Sequence, residues 1–287
     1  MIMKKYLYIL LSVCLMTVSC NDDISVYQGL VQEGEPVEFT LDFSVGNLQD
    51  KSIESRSGDD YTVNNIYLFI FEAKNGQPGM LKTRKFYNST ELDAAIGNVP
   101  SDNGSSSSSM TGKLNISTTQ GESFIYAVAN IDLDEASGEY DRTDIKTSLD
   151  NLQVGEECFK ALEAISVSYR AINNEILLRT TPYYLMSGMY QVPKDGKYTR
   201  NNQSCIIGPN GIVDDSGNKV DNGRIRLYRM DAWVDFNINT AEGITFTPTK
   251  YRMVNLPVKS RLIVGANDIT TESSGDYVDN LEREIAL

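Results

Sequence analysis

From Glu38 to Val45 polar and apolar residues alternate without a break: Glu38, Phe39, Thr40, Leu41, Asp42, Phe43, Ser44, Val45. A period of two places Phe39, Leu41, Phe43 and Val45 on one face of a strand, whereas a helix would scatter them around its circumference. A strand with a single apolar face must bury it against a second layer, so this octet predicts a layered β fold. The stretch 63–72, VNNIYLFIFE, is apolar at successive positions through its centre. That pattern predicts a strand buried on both faces inside a sheet. Asn75-Gly76 directly behind it is a tight-turn signal.

Further along, 89–96 reads as a short helix with Ser89 or Thr90 as N-cap. Residues 97–112, containing SDNGSSSSS, read as a mobile loop. A modest strand is expected over 113–118 and a strong one over 123–130, SFIYAVAN. Helices are expected over 144–152 and 156–165, the second with Phe159, Leu162 and Ile165 on one face. Segments 176–179 and 183–186 are strand-like, with Ser187-Gly188 as the turn after them. Residues 196–223 are turn-rich and end in DDSGNKVDNG, which marks a domain boundary; a long strand follows over 224–238, and another begins at 245–256. The order is mostly β with short helices inserted, which predicts a sandwich of antiparallel sheets. The sandwich of 37–223 is followed by a second domain over 224–287. A sandwich takes ~100 residues, so this second domain is expected to be abbreviated or incomplete.

The N-terminus carries an export signal. Lys4 and Lys5 are followed by an apolar stretch from Tyr6 to Met16 and by the small residues Thr17-Val18-Ser19. A membrane-spanning helix needs ~20 apolar residues, and here Asn21, Asp22 and Asp23 close the run. Thr17-Val18-Ser19-Cys20 resembles a relaxed lipobox, so residues 1–19 are expected to be removed and Cys20 lipidated. Residues 20–36 then form a tether from the outer membrane.

Composition narrows the chemistry. The formal charge is −13, and −15 once Lys4 and Lys5 leave with the signal, which disfavours a nucleic-acid partner. The sequence has no histidine. Ser-His-Asp and Cys-His catalysis and histidine-containing zinc sites are therefore excluded. No phosphate loop or dinucleotide fingerprint occurs, and no cofactor, metal or catalytic residue is assigned. Past Cys20 only Cys158 and Cys205 remain; an oxidising compartment would let them pair, and two buried thiols are the alternative. Asp214, Asp215, Ser216, Asn218 and Asp221 could wrap Ca²⁺, but Asx and Gly are also what a turn requires, and the turn is the preferred reading. The acidic group Asp132, Asp134, Glu135 and Glu139 is read the same way. Tyr67, Tyr183 and Tyr184 could form a glycan platform, although tyrosine is an ordinary strand residue.

Taken in order, EFTLDFSV, Arg56 before a small residue, and VNNIYLFIFE resemble the start of the fimbrillins, the pilin subunits of type V pili. SFIYAVAN, YYLMSG at 183–188 and LYRMDAWVDFNI at 227–238, with Arg229 and Ala232, are similar to later motifs of that family. The resemblance implies transthyretin-like antiparallel β-sandwich domains and no enzymatic activity. It implies a surface lipoprotein cut by an Arg- or Lys-specific protease between Arg56 and Ser57, with Lys51 a second basic residue in the linker. Cutting would free the strand bearing Phe39, Leu41, Phe43 and Val45, and another fimbrial subunit would fill the groove by donor-strand exchange. The alternative is a lipid-retaining anchor or accessory subunit, or a module binding a glycan or host protein.

Overall fold

The computed structural model describes residues 31–45, 62–100, 106–131, 142–168, 171–172, 175–176, 183–196, 198–199, 201–230, 242–243, 245, 247–254, 256–257, 259–263, 277–278 and 282–284. Ten strands form the main sheet: β1 (Pro36–Val45), β2 (Ile66–Lys74), β3 (Gln77–Tyr87), β4 (Asp93–Pro100), β5 (Ser106–Thr119), β6 (Gly121–Ala129), β7 (Met186–Gln191), β8 (Cys205–Gly208), β9 (Gly211–Val213) and β10 (Arg224–Arg229). Among the described residues two helices, α1 (Arg142–Asp150) and α2 (Phe159–Ala164), are inserted between β6 and β7. The class is mostly β with short helices, as the sequence predicts.

Strand order along the sheet is β9-β8-β6-β7-β10-β1-β5-β4, with β2 on the other edge of β6 and β3 beyond it. Pairing is antiparallel throughout this sheet except between β1 and β10, which run parallel. The sheet curls until β3 lies over β5. There the hydroxyls of Thr83 and Thr118 are 2.7 Å apart, and Tyr87 donates its hydroxyl to the Asn115 carbonyl at 2.7 Å.

Curling gives the sheet an inner and an outer face, and β2 feeds both. Ile66, Leu68 and Ile70 enter the inner core with Phe43, Leu114, Ile125, Ile225 and Leu227. Tyr67, Phe69 and Phe71 enter an outer core with Phe124, Tyr126 and Val128. The helices close that outer core through Ile145, Leu149 and Leu162. This double burial is why the centre of β2 lacks polar alternation. Asn75 and Gly76, at φ 53° and 71°, form the two-residue hairpin that the sequence predicts. Arg84 donates to the carbonyls of Leu149, Asp150 and Leu152, filling acceptors that the end of α1 leaves open.

Several expectations are corrected. Residues 93–100 are strand β4 rather than the end of a helix over 89–96. The side chain of Asn88 accepts the amides of Thr90 and Glu91, so Ser89 and Thr90, the expected caps, lie in a turn that Asn88 closes instead of starting a helix. Residues 97–100 and 106–112 are paired strand rather than loop, since Pro100 pairs with Ser106 and the β4–β5 ladder runs on to Asp93 and Lys113, while residues 101–105 lie outside the described residues. Backbone pairing of this kind needs little from its side chains, so a serine run can sustain it. β3 has no counterpart in the sequence reading. Ser187 and Gly188 lie inside β7 rather than in a turn after it. Segment 196–223 holds the β8–β9 hairpin, and strand 224–229, placed by sequence at the start of a second domain, bonds to β1 and β7 in the main sheet. Residues 231–238, the rest of that expected strand, lie outside the described residues.

Cys158 and Cys205 are free and buried. Burial pushes the Cys205 thiol up to about 12, against an ordinary value of 9.0. Tyr87, Tyr126 and Tyr190 are also raised, chiefly by burial. Each of these acids keeps its proton in the fold at a pH where the unfolded chain releases it. Their contribution is therefore complete below the unfolded thiol's value and is lost as pH rises above 9.0 toward about 12. Urea titration at about pH 10.5 is expected to give a lower midpoint than at about pH 8; equal midpoints would contradict this.

Candidate functional site: the β1 groove

β1 is an interior strand. From Pro36↔Thr119 to Ser44↔Thr111 it pairs with β5, and Phe43, Ser44 and Val45 also face Ile225, Arg226 and Leu227 of β10. At its start, Gly34 donates to the Gln120 carbonyl at 3.2 Å and Glu35 accepts the Gln120 amide at 2.8 Å. The alternation read in the sequence is realised here. Val37, Leu41, Phe43 and Val45 are buried in the inner core, and half-buried Phe39 packs against it. Burying each of these side chains contributes about 1.5–3 kcal/mol.

The outward side chains are polar. Glu38 accepts the Ser117 hydroxyl at 3.1 Å, and Thr40 donates to the Asn115 side chain at 3.2 Å. Ser44 alone among them is fully buried. The walls of the slot are β5, through Leu114 and Ile116, and β10, through Ile225 and Leu227. Taking β1 away would leave an apolar trough with two open strand edges, a template for another strand.

Asn130 fastens the segment that leads into β2. Its Oδ1 accepts the Asn64 amide at 2.8 Å, while its Nδ2 donates to the carbonyls of Thr62 at 3.0 Å and Tyr184 at 2.7 Å. Asn130 is fully buried at φ 64°, a left-handed backbone that asparagine tolerates. This explains why the strong strand 123–130 stops on this residue. Asn130→Ala is expected to cost about 2 kcal/mol in denaturant unfolding, and Asn130→Gly should not rescue it, because the amide contacts matter more than φ.

The remaining sequence candidates take ordinary places. Asp214 accepts the amides of Ser216 and Asn218 at 2.9 and 2.8 Å and the Asn218 side chain at 3.3 Å. This loop is thus the turn preferred from the sequence. Among the described residues no group of three or more acidic or cysteine side chains converges, and no helix is long and apolar enough to cross a membrane. Tyr67 and Tyr184 are buried rather than presented as a flat platform. Cys20, Arg56, Ser57 and the group Asp132, Asp134, Glu135 and Glu139 lie outside the described residues. Arg226, opposite Ser44, was not singled out in the sequence, because a polar residue within an apolar strand is visible there but its burial is not.

No protein-family model matches the chain, and no curated protein matches it in sequence. Its structural neighbours include the tip fimbrial protein Mfa3 of Porphyromonas gingivalis with C-terminal truncation, at 15% identity, over 88% of this chain and 64% of that one, with a TM-score of 0.41. A candidate cell adhesion protein of Parabacteroides distasonis is 14% identical, over 87% of this chain and 64% of that one, with a TM-score of 0.43. Another from Bacteroides eggerthii is 17% identical, over 61% and 42%, with a TM-score of 0.29. The chain therefore spans less than two thirds of the length of each of these proteins. By name these are one fimbrial protein and two candidate cell adhesion proteins.

Proposed function

We propose that this chain is a structural fimbrial subunit that supports adhesion and carries no enzymatic activity. It is exported as a lipoprotein through Cys20, reaches the outer membrane surface, and is cut after Arg56, before Ser57, by an Arg-specific protease. It then joins other fimbrial subunits by strand exchange at the β1 groove. The observation that carries this reading is the placement of β1. The strand holds the centre of the sheet by pairing with β5 and β10, and residues 46–65 alone join it covalently to β2. One cut there turns an internal strand into a ligand held only by hydrogen bonds and apolar contact.

N-terminal sequencing of the protein taken from cells tests the maturation route. A mature end at Ser57 is expected. An acylated Cys20 as the sole form would instead make the chain a lipid-retaining anchor or a glycan- or host-protein-binding module.

A further inference from the structure

Apolar alternation alone does not fix the register of a strand in this slot. A slip of two residues keeps the same face inward, so an evenly lined groove would take an alternating strand in several registers. The β5 wall is not even. Opposite the inward residues of β1 it places Thr118 against Val37, Ile116 against Phe39, Leu114 against Leu41, and Gly112 against Phe43. Of these four positions, the one opposed by no side chain holds a fully buried ring. Gly112 is itself buried, and its neighbours on the same face of β5, Met110 and Leu114, both pack in the inner core. Across the other edge of β1, Phe43 meets Ile225 of β10. The ladders run through Gly112 without a register shift, to β1 on one edge and to β4 on the other, so no bulge calls for glycine there. Directly opposed side chains on one face stand about 5 Å apart. A side chain at 112 and a ring at 43 would therefore compete for one space.

We propose that Gly112 is a specificity-determining residue of the groove, a socket that only an aromatic side chain on the filling strand occupies. This rests on the strand-exchange reading and names the chemistry of its partner. The partner is an alternating strand with an aromatic residue in the place of Phe43 and an aliphatic one in the place of Leu41. Val or Ile in the ring's place leaves a hole that neighbours held in two ladders cannot close. A ring in the place of Leu41 is crowded against Leu114. The socket thereby sets register as well as choice, because a two-residue slip carries the ring from Gly112 onto Leu114. Misfit of the wrong strand is how a site built mainly of apolar contacts gains selectivity.

The test uses the full chain nicked in its linker by an Arg-specific protease, with a fluorescent copy of peptide 36–45 in the slot and unlabelled peptides as competitors. The informative competitor exchanges two residues, Leu41→Phe together with Phe43→Leu, so its composition is unchanged and only the position of the ring differs. It is expected to compete ~10- to 100-fold more weakly than the native peptide. The exposed control Thr40→Ala should stay within about threefold. On a nicked Gly112→Val chain, whose socket is filled, the Phe43→Val peptide should overtake the native one and reverse the order seen on the unsubstituted chain. If the Gly112→Val chain does not fold, the exchanged peptide on the unsubstituted chain decides by itself. Equal competition by the native and exchanged peptides overturns the selection by Gly112 and leaves strand exchange standing, as does an order that fails to reverse on Gly112→Val. If no peptide enters at all, the native one included, strand exchange fails and the selection fails with it.

Discussion

Phe43→Ala is expected to destabilise the intact chain by about 3–5 kcal/mol. Phe43 is wholly buried at the point where β1 is bonded on both edges, to β5 at Gly112 and to β10 at Ile225. Its ring shares the inner core with Leu114, Ile225 and Leu227, and neighbours fixed in two ladders cannot collapse into the space that the ring leaves. Truncation therefore forfeits both the transfer of the ring from water and the packing around the hole. Phe39, on the same face but only half-buried, should lose less on the same truncation. Thr40→Ala, on the exposed face, should stay within about 0.5 kcal/mol. Guanidinium denaturation of the three variants reads this gradient directly. Equal losses at positions 39, 40 and 43 would mean that β1 is not seated as described.

Gly188→Val is expected to cost at least ~3 kcal/mol and to depress the yield of folded protein. A Cβ at Gly188 would stand 1.9 Å from the Arg226 carbonyl oxygen and 2.6 Å from its carbonyl carbon. Those atoms are backbone of β10, the strand that also borders β1, so the chain cannot relieve the clash by turning a side chain. β7 would have to part from β10 and take the wall of the groove with it. Circular dichroism and denaturant unfolding of Gly188→Val against wild type check this, with Gly196→Val as a comparison of a different kind. Gly196 has open space where a Cβ would go but a φ of 75°, so its cost is backbone strain alone and should be smaller. Equal stability of Gly188→Val and wild type would rule out the close approach of β7 and β10.

Legibility in the sequence follows the physics of each segment. β1 was readable because one face meets the core and the other meets polar neighbours, which writes a period of two into Glu38–Val45. β2 was readable for the opposite reason, since both of its faces are buried and the centre is apolar without interruption. α2 showed through Phe159, Leu162 and Ile165 on one face, and the hairpin through Asn75-Gly76. The β4–β5 ladder was not readable. Its stability comes from backbone pairing, and a serine-rich stretch looks alike whether it is paired or free. Gly188 misled because glycine serves both turns and close strand contacts, and only the neighbouring β10 backbone distinguishes the two. Within the groove, the apolar face was legible residue by residue. The burial of Arg226 was not, because it depends on Ser44, Tyr198 and Met189 arriving from three separate segments.

The central claim is that β1 is a separable strand whose slot another strand can fill. The most direct measurement is the native mass of the folded chain after cleavage in the linker, incubated with excess isotopically heavy peptide 36–45. The account predicts that the original N-terminal piece is released and that the folded body gains one heavy strand. A nicked chain that retains its own β1 indefinitely, or that loses it and accepts no replacement, would contradict it.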